Sequence, residues 1–177
     1  MRTLLLTILT IFIFTGCYFE KHNVEKSKDH TYLPLKEKEK IFISLPDDGQ
    51  YGNINYKNSG FEVANSIKIN VFQYSKDIEI GQKVLTLDEA ISYAKSISAS
   101  YLYYPTILHW EDRNTAWSGV PDKVNINISV IDVLLNKEVS SIDIKSNSSY
   151  WTLSNASPKE LIDEPISKYI NTLYNKQ

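Results

Sequence analysis

The ten residues Lys123-Val124-Asn125-Ile126-Asn127-Ile128-Ser129-Val130-Ile131-Asp132 decide the fold. Val124, Ile126, Ile128 and Val130 alternate with Asn125, Asn127 and Ser129, which predicts a strand with one face in a core and one face wet. The apolar pair Val130-Ile131 interrupts the alternation and predicts a bulge or a register change. Leu135-Asn136-Lys137-Glu138 reads as a turn, and beyond it Ile142 and Ile144 alternate with Asp143 and Lys145 as the partner strand. Upstream, Ser100 to Trp110 is rich in aromatic and β-branched residues and reads as a third strand, with Pro105 at an edge or a bulge. Strands between Tyr101 and Ser149 therefore form an antiparallel meander.

Working back toward the amino terminus, the period changes. Thr86-Leu87-Asp88-Glu89 has the spacing of a capping box, and Leu87, Ala90, Ile91, Ala94 and Ile97 follow at helical intervals. Ile78 and Ile80 mark a short strand ending at Gly81. Ser59-Gly60-Phe61-Glu62 is a second capping-box pattern, with Phe61, Ala64, Ile67 and Val71 as its apolar stripe. Ile41-Phe42-Ile43-Ser44-Leu45, closed by Pro46-Asp47-Asp48-Gly49, has the composition of a buried strand and its turn. At the other end Ser157-Pro158-Lys159-Glu160 opens a last helix carrying Ile162, Ile166, Tyr169, Ile170 and Leu173, with Pro165 expected to kink or restart it. The order β-α-β-α-β-β-β-α predicts a single α/β (α+β) domain over residues 41–177, with a mixed sheet covered by helices.

The whole chain has 177 residues, 42% of them hydrophobic and 23% charged, with a net charge of −2 and one Cys. A single Cys excludes an internal disulfide framework, and the near-neutral balance argues against a nucleic-acid partner. Arg2 precedes the apolar run Leu4 to Phe14, which is too short for a spanning helix and has the form of a secretory signal over residues 1–16. Phe14-Thr15-Gly16-Cys17 resembles the bacterial lipobox, which implies cleavage before Cys17 and lipidation of its sulfur. Tyr18 is not the Asp associated with inner-membrane retention, so the same resemblance implies the outer membrane, with the domain in the periplasm. From Tyr18 to Lys40 the chain is crowded with charged residues, includes His22 and His30, and reads as a flexible tether spanning residues 17–40 with the lipidated Cys. Fully extended, such a tether would reach about 75 Å.

Chemistry concentrates between two strands, in the stretch from Ile107 to Asp122. His109 and Glu111 project to one side of a strand and, with Asp112, are the candidates for a hydrolase or metal-dependent site. A catalytic zinc requires three protein ligands, and no second His lies in the domain. No nucleophile elbow is present, and Cys17 is committed to lipid. The alternative reading has Trp110 and Trp117 packing across the hairpin while Arg113 pairs with Asp112 or Glu111. Asp132, set among Ile131 and Val133, reads as a buried carboxylate, and Tyr101, Tyr103 and Tyr104 read as core rather than as a sugar-stacking surface.

The run Leu108 to Arg113, with Trp117, Ser118, Gly119, Pro121 and Asp122, then Ser129 to Val133, Glu164-Pro165 and Pro46 to Gly49, resembles a family of small bacterial envelope lipoproteins that carry a domain of unknown function. More loosely, the element order is similar to the amino-terminal domain of the Tol translocation protein, to lipoprotein activators of peptidoglycan synthases and to the curli-secretion lipoprotein. The expectation is a non-enzymatic outer-membrane lipoprotein, without a metal or a cofactor other than the lipid on Cys17. It would bind an envelope protein or peptidoglycan through His109, Trp110, Glu111, Asp112, Arg113, Trp117 and Asp122. The alternative expectation is an enzyme built on His109, Glu111 and Asp112.

Overall fold

The computed structural model describes residues 21–26, 34–113, 121–148 and 157–174. In chain order they form β1 (Lys21–Lys26), β2 (Ile41–Leu45), β3 (Gln50–Tyr51), β4 (Ile54–Asn55), α1 (Ser59–Val71), β5 (Ile78–Val84), α2 (Leu87–Ser96), β6 (Tyr101–Glu111), β7 (Lys123–Asp132), β8 (Lys137–Asn147) and α3 (Pro158–Tyr174). The main sheet has the order β1-β8-β7-β6-β2-β5, and β3 and β4 make a separate small hairpin. β2 is parallel to both β5 and β6, whereas β6, β7, β8 and β1 are successively antiparallel. The expected mixed sheet and meander are present, with the β3–β4 hairpin and β1 as additions.

Side-chain alternation places the two cores. Ile126, Ile128, Val130, Ile142 and Ile144 turn to one face, where α1 contributes Val63, Ala64, Ile67 and Val71 and α3 contributes Leu161, Ile162, Ile166 and Ile170. Each such Val, Leu or Ile side chain removed from water is worth about 1.5–3 kcal/mol. α1 and α3 are joined by a Ser66 to Asp163 hydrogen bond of 2.6 Å and by stacked Tyr74 and Tyr174 rings 4.1 Å apart. On the opposite face α2 covers Phe42, Leu102 and Ile131 with Ala90 and Ala94. The rest of that face bears Asn127, Ser129, Ser141 and Asp143, linked by side-chain hydrogen bonds.

Several local expectations change. β7 and β8 shift register between Val130 and Ile131, as the apolar pair anticipates. β5 runs on to Val84, past the expected end at Gly81. Pro105 lies two residues beyond Tyr103, the last β6 residue partnered by β2, so at the proline β6 is paired on the β7 side alone. Pro165 does not restart α3, which runs from Pro158 to Tyr174 with the proline buried inside it. Phe61 is exposed rather than part of the stripe, because Gly60 packs inward so closely that an added Cβ would meet the Pro46 carbonyl oxygen at 2.4 Å. The complete capping box at Thr86 and Glu89 is present. The one expected at Ser59 is not: the residue preceding α1 is Asn58, and the Ser59 hydroxyl accepts from the Gly49 N–H. Tyr101 and Tyr103 are buried, but Asp132 is only half-buried and accepts the Leu135 N–H in the β7–β8 turn.

The stretch read as a tether is also partly built into the fold. Lys21–Lys26 pairs with β8 from Lys21 opposite Asn147 to Lys26 opposite Ile142, and Leu35 is buried with its N–H bonded to the Leu173 carbonyl. Charge density conceals this, because edge strands are held by backbone hydrogen bonds and tolerate charged side chains. Residues 1–20, with the signal segment and Cys17, lie outside the described residues, as does Trp117.

Candidate functional site

A shift in the β6 ladder fixes which side chains meet. Tyr101 and Tyr103 point into the α1–α3 core, and continued alternation would send His109 there as well. The register with β7 slips between Ile107 and His109, leaving Leu108 as the extra, exposed residue. Beyond the slip Trp110 enters the core, and His109, Glu111 and Arg113 gather on the other side of the strand path. The side of Trp110 is closed by the loop after β2, where a Cβ on Gly49 would stand 2.3 Å from the Trp110 Cβ. Only glycine fits that approach.

Glu111 is the centre of the cluster and is only 2% exposed. Its Oε1 accepts from both Nε and a terminal nitrogen of Arg113, and its Oε2 lies 3.3 Å from His109 Nε2. Burial pushes its carboxyl upward, but the hydrogen bonds and charge supplied by Arg113 and His109 outweigh that and hold it below the ordinary carboxylate value. Arg113 donates to the Tyr51 hydroxyl at 3.3 Å and lies over that ring, while Tyr51 meets the His109 ring edge-on at 5.3 Å. Asp122, also buried, accepts the Arg113 backbone N–H at 2.5 Å, and its own N–H donates to Ser148 Oγ. Its carboxyl is raised, first by burial. Asp112 is exposed, and its carbonyl accepts from the Tyr56 hydroxyl at 3.5 Å.

Of the expected residues, His109, Glu111, Arg113 and Asp122 are therefore brought together, Trp110 faces the core behind them and Asp112 stands outside the cluster. Arg113 pairs with Glu111 rather than through the Asp112 side chain. Among the described residues no group of three His, Cys, Asp or Glu side chains is placed to hold a metal ion. Two contributors lie outside the stretch that drew attention in the sequence. Asp48 accepts the Asn58 and Gly60 N–H groups and seats the start of α1, and Tyr51, on the two-residue strand β3, roofs the cluster. The sequence signal for both is their place in the turn segment Asp47–Gly52 that follows the first core strand, where α/β folds often place ligand loops.

The same end of the domain exposes apolar side chains: Tyr51, Ile54, Phe61 and Leu108. An open groove of about 680 Å³ between β5 and α2, lined by Phe42, Leu85, Tyr93, Lys83, Asp88 and Glu89, includes none of the expected site residues. No helix among the described residues is long and apolar enough to cross a membrane.

A mixed sheet with two helices on one face, one on the other, and a buried carboxylate locked by its own arginine at one end defines a small α+β domain. The chain belongs to the family of the domain of unknown function DUF4823, which matches residues 34–173. It is similar in fold to PelC from Paraburkholderia phytofirmans, solved as a dodecamer, with a TM-score of 0.66 and 15% identity over 89% of this chain and 100% of that one. Weaker overlaps are with the lipoprotein GNA1162 from Neisseria meningitidis (TM-score 0.49, 12% identity, 76% of this chain and 96% of that one) and the LpoB C-terminal domain from Escherichia coli (0.45, 11%, 65% and 87%). No curated protein matches the chain.

Proposed function

We propose that the protein is a lipoprotein of the bacterial envelope, anchored through lipid on Cys17 in the outer membrane, whose periplasmic domain acts by binding or assembly rather than by catalysis. One observation carries the non-catalytic reading: Glu111 is buried and bonded within the domain by Arg113 and His109. A buried carboxylate spent on an internal arginine shapes a surface; it is not poised to exchange protons with a substrate. The anchor reading is supported by the apolar run Leu4 to Phe14 ending at the only Cys. An envelope protein or peptidoglycan is the expected partner. Self-assembly is a second reading, supported by a fold likeness that spans the whole of a dodecameric protein's chain.

Labelling with radioactive palmitate and density-gradient separation of membranes tests the anchor: label in the outer-membrane fraction for wild type, and none for Cys17→Ser. Equal labelling of the two removes it. Photo-cross-linking from position 112 in intact envelopes, with light scattering of the purified domain, separates a foreign partner from a second copy. A monomer that gives no adduct in the envelope would overturn the binding reading.

A further inference from the structure

Pairing of β1 with β8 leaves little chain between Cys17 and the folded sheet. Cys17 stands four residues before Lys21, so their Cα atoms are at most about 14 Å apart. Lys21 is opposite Asn147, Asn147 is opposite Lys123, and Lys123 is opposite Glu111. With strands about 4.8 Å apart, Glu111 lies about 14 Å across the sheet from Lys21. All four residues mark the same end of the sheet. It is also the end to which parallel β2 delivers the Asp48 loop, and so the end that carries Tyr51, Ile54 and Phe61.

From this we infer that the Glu111 end of the domain rests on the lipid bilayer, with Tyr51, Ile54, Phe61 and Leu108 as its contact. The inference rests on the proposed lipidation of Cys17, which places that residue at the bilayer surface. These residues are 41%, 57%, 55% and 56% exposed, and Tyr51 lies directly against Arg113 of the Glu111 ion pair. Exposed charge at this end is mixed, Lys57 and Lys123 standing against Asp47 and Asp112 among the described residues, so apolar contact rather than attraction to anionic headgroups carries the docking. The opposite end exposes Leu134 at 90% and Leu135 at 66%, which by composition alone would look the better membrane contact. β8 has eleven residues, so that turn lies about 35 Å from the Lys21 end, beyond the reach of the leash.

The test uses the full lipidated protein reconstituted into vesicles of phosphatidylethanolamine and phosphatidylglycerol. Ile54→Cys, Leu108→Cys and Leu135→Cys are each labelled with an environment-sensitive fluorophore; the Cys17 sulfur, as a thioether, does not react. The expected result is a blue shift and quenching by spin-labelled lipid at positions 54 and 108, with position 135 behaving as in water. Equal quenching at all three, no quenching at 54 and 108, or quenching confined to 135 would each overturn the docking. All three sites are exposed, and circular dichroism confirms that each variant folds. Failure of the anchor is read separately: a Cys17 that reacts with the label and a protein that does not float with the vesicles remove the lipid, and the docking with it.

Discussion

Replacing Arg113 and replacing Glu111 strip the same ion pair from different sides, and the two losses differ because the guanidinium side chain is 31% exposed whereas the carboxylate is 2% exposed. Arg113→Met leaves a nearly dry carboxylate facing only His109, at an expected cost of about 2–3 kcal/mol. Glu111→Gln leaves a guanidinium that can turn to water and should cost less than half of that in urea denaturation. The pH dependence has a definite sign. Because the folded carboxyl lies below its ordinary value, it contributes stability that is complete above about pH 4.5 and is lost as the pH falls through the depressed folded value. In Arg113→Met that loss on acidification should shrink, and a carbon-detected NMR titration should find the Glu111 resonance moving at higher pH than in wild type. His109 and Glu111 are legible as neighbours because a strand repeats every two residues. Which of them enters the core is not, since the extra residue at Leu108 inverts the alternation between Tyr103 and Trp110.

At the scale of elements, α1 begins on a carboxylate borrowed from the loop after β2 rather than on its own Ser59. Asp48→Ala removes the acceptor of both the Asn58 and Gly60 N–H groups and should cost about 1–2 kcal/mol in thermal or chemical unfolding, where an exposed acid such as Asp77 replaced by Ala should change little. The helices α1, α2 and α3 and the strands β7 and β8 are readable from periodicity because each buries one face and leaves the other wet, whereas β2, buried on both faces, is readable as a continuous apolar run and β6 from its aromatic and β-branched composition. β1 is not, because its pairing is made by backbone groups that every residue possesses. β3 and β4 are two residues each, too short for any period to declare itself. Phe61 misleads for a related reason: its place at helical spacing is real, but the inward slot beside it is taken by Gly60, whose lack of a side chain lets the Pro46 carbonyl approach.

For the molecule as a whole, the domain begins before its first core strand. Leu35 packs into the core, its N–H reaches the Leu173 carbonyl at 2.8 Å, the Lys36 N–H reaches the Tyr101 hydroxyl at 3.1 Å and the Lys38 N–H reaches the Tyr74 carbonyl at 2.8 Å. A chain starting at Pro34 should therefore fold, and one starting at Ile41 should be destabilised by at least about 2 kcal/mol, as read by comparing their urea midpoints. The family match, which opens at residue 34, sets the same boundary. Partner and ligand are not legible in the sequence, because the side chains it singles out, His109, Glu111 and Arg113, bond to one another.

The pairing of β1 with β8 also has a meaning in time. Lys21 and Asn147 are partners about 126 residues apart in the chain, so the strand nearest the amino terminus has nothing to pair with until β8 is in place. Until then the outer edge of β8 is a row of open backbone donors and acceptors, available to any other extended chain. Covering that edge with β1 therefore requires closing a long loop, whose entropic cost depends on the length of chain between the two strands rather than on the side chains of either.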